Sequence, residues 1–70
     1  MTWDELKEKA KEMGYTSGID YRGVEYLCKS DIGITFYQNE DVTVYADDDE
    51  WLLKCGVKYD KMLMIMRGLE

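Results

Sequence analysis

The segment Asp47-Asp48-Asp49-Glu50-Trp51-Leu52-Leu53-Lys54-Cys55-Gly56 decides the fold of this chain. Read as a helix, Asp47 caps it and Glu50 completes a capping box three residues on. Leu52, Cys55, Tyr59, Met62, Leu63 and Met66 then continue at helical spacing. Gly56 falls in the middle of that helix, at about 1 kcal/mol relative to alanine. Read otherwise, Asp47 to Glu50 form a hairpin turn, Trp51 to Cys55 a strand, and Gly56 the loop before a shorter helix. The second reading places the glycine where it costs little, and we favour it.

The segments before Asp47 are clearer. Thr2-Trp3-Asp4-Glu5 is a capping box, and Trp3, Leu6, Ala10 and Met13 line one helical face. Glu5 with Lys9 and Glu8 with Lys11 add favourable pairs on the exposed side. Gly14 suits the left-handed residue that ends a helix, with Tyr15 folding back over Ala10. A helix from Thr2 to Met13 follows. After a Thr16-Ser17-Gly18 connector the period changes to two. Val24, Tyr26 and Cys28 alternate with Glu25, Leu27 and Lys29. Ile32, Ile34 and Phe36 alternate with Gly33, Thr35 and Tyr37. Val42, Val44 and Ala46 alternate with Thr43 and Tyr45. Short polar turns at Ser30-Asp31 and Gln38 to Asp41 join these runs into an antiparallel meander.

Beyond Gly56, a helix from about Lys58 to Leu69 carries Tyr59, Met62, Leu63, Ile65, Met66 and Leu69 on one broad face, with Met64 outside it. The expected fold is α+β: an antiparallel β-meander of four strands, or three, with N- and C-terminal helices packed on one face. The preferred order is α-β-β-β-β-α. Residues 1–68 make one small domain, and Leu69-Glu70 matches a dipeptide that cloning vectors leave behind. The expected inner face holds Val24, Tyr26, Cys28, Ile32, Ile34, Phe36, Val42, Val44, Trp51, Leu53 and Cys55. The outer face presents Leu27, Thr35, Tyr37, Thr43, Tyr45 and Leu52, with Glu25, Lys29 and Lys54 among them.

Composition narrows the function. The chain has 70 residues, net charge −6, no histidine, no proline and two cysteines. Without histidine, the commonest general base and the commonest metal ligand are both missing. Cys28 and Cys55 have no base to make a thiolate and form no C-x-x-C pair, which argues against nucleophilic, redox and zinc chemistry. The acidic run from Asp47 to Glu50 lacks the alternate ligand spacing and the glycine of a calcium loop. The scattered glycines form no phosphate-binding motif. No catalytic residue, cofactor or metal is therefore expected. Nor is a membrane span, since no apolar run approaches the roughly 18–20 residues needed. Two cysteines without a secretory signal suggest reduced thiols and a cytoplasmic protein, and the small size and acidic composition are bacterial or phage in character.

Under the long-helix reading the element order resembles that of double-stranded-RNA-binding domains, in topology alone. Those modules open their second helix with a basic cluster, whereas the corresponding stretch here is Asp47 to Glu50. A chain of net charge −6 is repelled by phosphates. Nucleic acid is thus not an expected partner, although an acidic mimic of nucleic acid is physically permitted. The leading expectation is a non-enzymatic protein–protein interaction or accessory module, binding another protein or itself as a homodimer. Tyrosine buries much area with few rotamers and keeps a polar tip, and exposed methionine adapts to varied partners. Tyr37, Tyr45 and Met64 are accordingly the expected partner-binding residues. The alternative is a small-ligand binder with its pocket between the helices and the sheet.

Overall fold

The computed structural model describes residues 1–46 and 49–69, with residues 46 and 49–54 described by their backbone alone. Helix α1 spans Trp3–Glu12 and helix α2 Tyr59–Gly68. Between them run β1 (Thr16–Ile19), β2 (Glu25–Cys28), β3 (Ile34–Tyr37), β4 (Val42–Ala46) and β5 (Asp49–Lys54). All neighbours are antiparallel, and the order in the sheet is β1-β2-β3-β4-β5. The expected meander flanked by two helices is therefore present. The segment that decided the fold supplies β5, a strand and not a helix. Asp47 and Asp48 of the expected turn lie outside the described residues, as does Glu70.

Both ends of α1 follow from the sequence. Thr2 Oγ1 accepts from the Glu5 backbone N–H at 3.2 Å, while the Glu5 carboxylate accepts from the Thr2 backbone N–H at 3.4 Å. At the other end Tyr15 N–H donates to the Ala10 carbonyl and Gly14 N–H to that of Lys11. Gly14 has φ 93°, so the chain leaves the helix through a conformation that glycine adopts without strain. Helix α2 has no side-chain cap at Lys58. It is anchored from outside, by Tyr59 Oη donating to the Gln38 carbonyl and Val57 N–H donating to that of Glu40.

The core lies between the helices and one sheet face. Trp3, Leu6 and Ala10 of α1 meet Met62, Leu63 and Met66 of α2, and both stripes close over Leu27, Phe36 and Val42. Tyr15 and Val57 complete the cluster. These side chains fill the space between the paired helices and the sheet, while a hollow of about 700 Å³ lies beside α1, lined by Lys7, Lys11, Tyr15, Thr16 and Leu27 among others.

Three expectations need correction. Strand β2 faces the opposite way from the alternation of its apolar residues. Leu27, 2% exposed, belongs to the core, while Tyr26 and Cys28 sit on the outer face. Pairing is the cause: Leu27 stands opposite Phe36, so the two share a face. Glu25 and Lys29 follow Leu27 to the helix side because each finds partners there. Glu25 accepts from Trp3 Nε1 at 2.8 Å and from Lys7 Nζ at 3.1 Å, and Lys29 Nζ donates to the Met13 carbonyl at 2.9 Å. Cys55 is also not a core residue but is exposed beyond the end of β5. Finally, Thr16-Ser17-Gly18 is not a connector but most of β1, paired with β2 at one edge of the sheet. For Trp51, Leu52, Leu53 and Lys54, the expected facing lies outside the described side chains.

Candidate functional site

The outer face is built by cross-strand register. Thr16 pairs with Cys28, Cys28 with Thr35, and Thr35 with Thr43, so a row of small side chains crosses four strands. Two residues along the strands, Gly18 pairs with Tyr26 and Tyr26 with Tyr37. On the other side of the small row, Tyr45 N–H donates to the Gly33 carbonyl at 2.8 Å. Large rings thus flank a low floor. The result is an open trough of about 680 Å³ lined by Tyr26, Cys28, Thr35, Tyr37, Thr43 and Tyr45, among others. From wall to wall it spans four strand residues, or about 13 Å between backbones.

One wall is raised by the β1–β2 loop. Asp20 organises this loop: its carboxylate accepts from the backbone N–H groups of Arg22 and Val24 at 2.9 and 3.0 Å. The same side chain pairs with the Arg22 guanidinium at 2.8 Å. Partial burial works against the ionised Asp20, but the Arg22 guanidinium and the two N–H groups outweigh it and hold the carboxyl below its usual range. Arg22 lies over the Tyr37 ring at 5.3 Å and near that of Tyr21 at 5.9 Å. Tyr26 meets Tyr37 edge to face, with centroids 6.1 Å apart. Gly18 leaves room for the Tyr26 ring, since a Cβ there would fall 2.5 Å from the Tyr26 hydroxyl oxygen and would shift it.

Polar satisfaction on the floor is incomplete. Thr43 is 5% exposed, and its hydroxyl has no hydrogen-bond partner among the described residues. A buried hydroxyl left unpaired costs about 1–3 kcal/mol. Exposed apolar surface also gathers here, in Ile19, Tyr21 at 96% and Tyr45 at 44% exposure.

Of the residues expected to bind a partner, the structure brings two together. Tyr37 and Tyr45 stand on opposite walls of the trough, Tyr37 buried beneath Arg22 and Tyr45 open. Met64 is 69% exposed on α2, in the helix layer, and does not line the trough. Sequence reasoning missed Tyr21, Arg22, Tyr26 and Cys28 as lining residues. Asp20 and Gly23 are residue types that favour turns, but no turn was assigned to them, and nothing local places their loop over the sheet. Among the described residues no three cysteine, aspartate or glutamate side chains converge as metal ligands would. No helix of the described residues is long and apolar enough to cross a membrane.

The chain, an antiparallel meander with two helices packed on one face of its sheet, matches no protein-family model, no curated protein and no solved structure.

Proposed function

We propose that the protein is a non-enzymatic binding module that docks another protein on the outer face of its sheet. The observation that carries this reading is the tyrosine-walled trough with the Thr43 hydroxyl, unpaired among the described residues, in its floor. Tyrosines supply rigid contact area with a polar tip, the composition that binding surfaces favour. The lack of histidine, and the separation of Cys28 on the sheet from Cys55 beyond β5, support a role without catalysis.

A photo-crosslinking amino acid at position 45, compared with one at position 64, tests the reading in cell extract. Discrete adducts from position 45 alone are expected. Adducts from position 64 alone would move the binding surface to the helix layer, and adducts from neither would overturn the proposal. The volume of the trough favours one second reading, because about 680 Å³ falls within the 300–1,000 Å³ range of small-molecule sites. In that case the melting temperature rises with a metabolite and position 45 captures no protein.

A further inference from the structure

We infer that β1 is a self-pairing edge, through which two copies of the chain join antiparallel about a two-fold axis at Gly18. This contact is separate from the outer-face trough and does not depend on it. β1 ends the sheet, with β2 on one side and no strand of the described residues on the other. The register shows which of its backbone groups are spare. Ile19 stands opposite Glu25, and one step further the Asp20 N–H donates to the Val24 carbonyl at 3.0 Å. Antiparallel ladders alternate bonded and non-bonded pairs, so Gly18 and Thr16 bond to β2 while Ile19 and Ser17 point away. The Glu25 carbonyl agrees, since it turns to β3 and accepts from the Gln38 N–H at 2.8 Å. No backbone group among the described residues bonds the N–H and C=O of Ser17 and Ile19 from the open side.

These spare groups match their own image. Turned about an axis through Gly18, Ser17 meets Ile19 of the second copy, and Ile19 meets its Ser17. Each such pair exchanges both of its backbone hydrogen bonds. Gly18 then faces Gly18 in the close, non-bonded position, with Cα atoms about 4.5 Å apart and no side chain between them. The Tyr26 hydroxyl lies over Gly18, 2.5 Å from where a Cβ would stand, so the two hydroxyls flank the axis on the outer face. They can bond each other directly or through a water. The strand lacks the usual guards of an edge. Thr16-Ser17-Gly18-Ile19 has no charge and no proline, and Ile19 is 69% exposed.

Neighbouring charges select a second copy. On the helix side, the hollow beside α1 is lined by Thr16 and Ser17 and by Asp4, Lys7, Glu8 and Lys11. A two-fold axis normal to the sheet keeps both α1 helices on one side and runs them antiparallel. The acidic end of one charged row, Asp4, then approaches the basic end of the other, Lys11, with Lys7 and Glu8 exchanged between them. These four side chains carry no net charge, so the contact meets less repulsion than a chain of net charge −6 offers elsewhere. Four-residue strands bury little area, so the dimer is weak, with Kd on the order of 10–100 µM.

The test is sedimentation equilibrium of the full chain from about 1 µM to 1 mM. It is joined by an isotope-filtered NOE measurement on a mixture of labelled and unlabelled chains at the highest concentration. The expected mass doubles and rises no further, and an NOE joins the Gly18 α-protons of the two copies, which only this register brings together. Ser17→Pro removes an outward N–H and spares the ladder to β2, while Ile19→Lys puts a charge on the edge. Each should weaken dimerisation at least about tenfold and leave the amide spectrum of β2 to β4 in place. Lys11→Glu should weaken it more than Lys61→Glu, the same charge change at an exposed position of α2. A monomer at the highest concentration would overturn the inference, as would growth beyond two copies. Dimerisation undiminished in both edge variants, or a dimer without the Gly18 contact, would do the same.

Discussion

The two faces of the sheet bury their central residues to similar depth by different means. On one face Leu27, Phe36 and Val42 lie beneath two amphipathic helices. On the other, Thr35, Tyr37 and Thr43 are equally buried, although no helix of the described residues packs on them. The first face is apolar and closed by whole elements of structure. The second is hydroxylated, and the Arg22 guanidinium lies over its Tyr37 ring. Depth of burial therefore does not identify the core of a small domain; what lies on top of the residue does.

The sharpest way to break this comparison is at the centre of the helix-covered face. Phe36→Ala should lower the free energy of unfolding by about 3–5 kcal/mol, measured by urea denaturation. Next comes the strand whose facing was misread. Leu27→Ala should cost about 2–4 kcal/mol and its neighbour Cys28→Ala less than about 1 kcal/mol. The reverse order would reinstate the alternation read from the sequence and invert the two faces.

A third prediction concerns the one carboxylate drawn to the helix side. The hydrogen bond from Trp3, and then that from Lys7, hold the Glu25 carboxyl below its ordinary value of 4.5. A depressed value in the folded chain means that the stability Glu25 adds is complete above pH 4.5 and lost as pH falls through the folded value. Glu25→Gln should flatten the acid limb of a plot of stability against pH. An unchanged limb would show that the contacts to Trp3 and Lys7 contribute nothing. The smallest effect is expected on the outer face. Thr43→Val removes a buried hydroxyl that is unpaired among the described residues and keeps the shape, so stability should hold or rise by up to about 1 kcal/mol. A clear loss would mean that the hydroxyl has a partner in the folded chain.

Most of the fold was legible because local signals agreed with one another. The capping box at Thr2, the glycine at position 14 and the alternation around Phe36 each specify their element without help from distant residues. Gly56, at φ 73°, tipped the ambiguous segment towards a strand for a sound physical reason. What was not legible depends on contacts between strands. In the run from Val24 to Lys29, three apolar residues alternate with one, yet register puts the one inside, and Glu25 and Lys29 find polar partners at the rim of the core. Strand β1 reads as a turn by composition, and the close approach of the Tyr26 ring to Gly18 becomes apparent only once β1 is paired with β2. The candidate site inherits these misses. Tyr45 and Tyr37 were visible as strand tyrosines, but Tyr26 was assigned to the wrong face. Arg22 depends on where a loop lands.

The strands lie in the sheet in the order in which they leave the chain, and this bears on how the molecule assembles. Each new strand pairs with the one just made, so every ladder closes only a short loop. Contact between the far ends of the chain is left to the helices, where the rings of Trp3 and Tyr59 meet with centroids 5.5 Å apart. The entropy of closing a loop nearly as long as the chain falls on that helix pair and not on any strand. A sheet that zips from neighbour to neighbour, fastened at the end by two helices, is a rapid route for a fold so rich in strands.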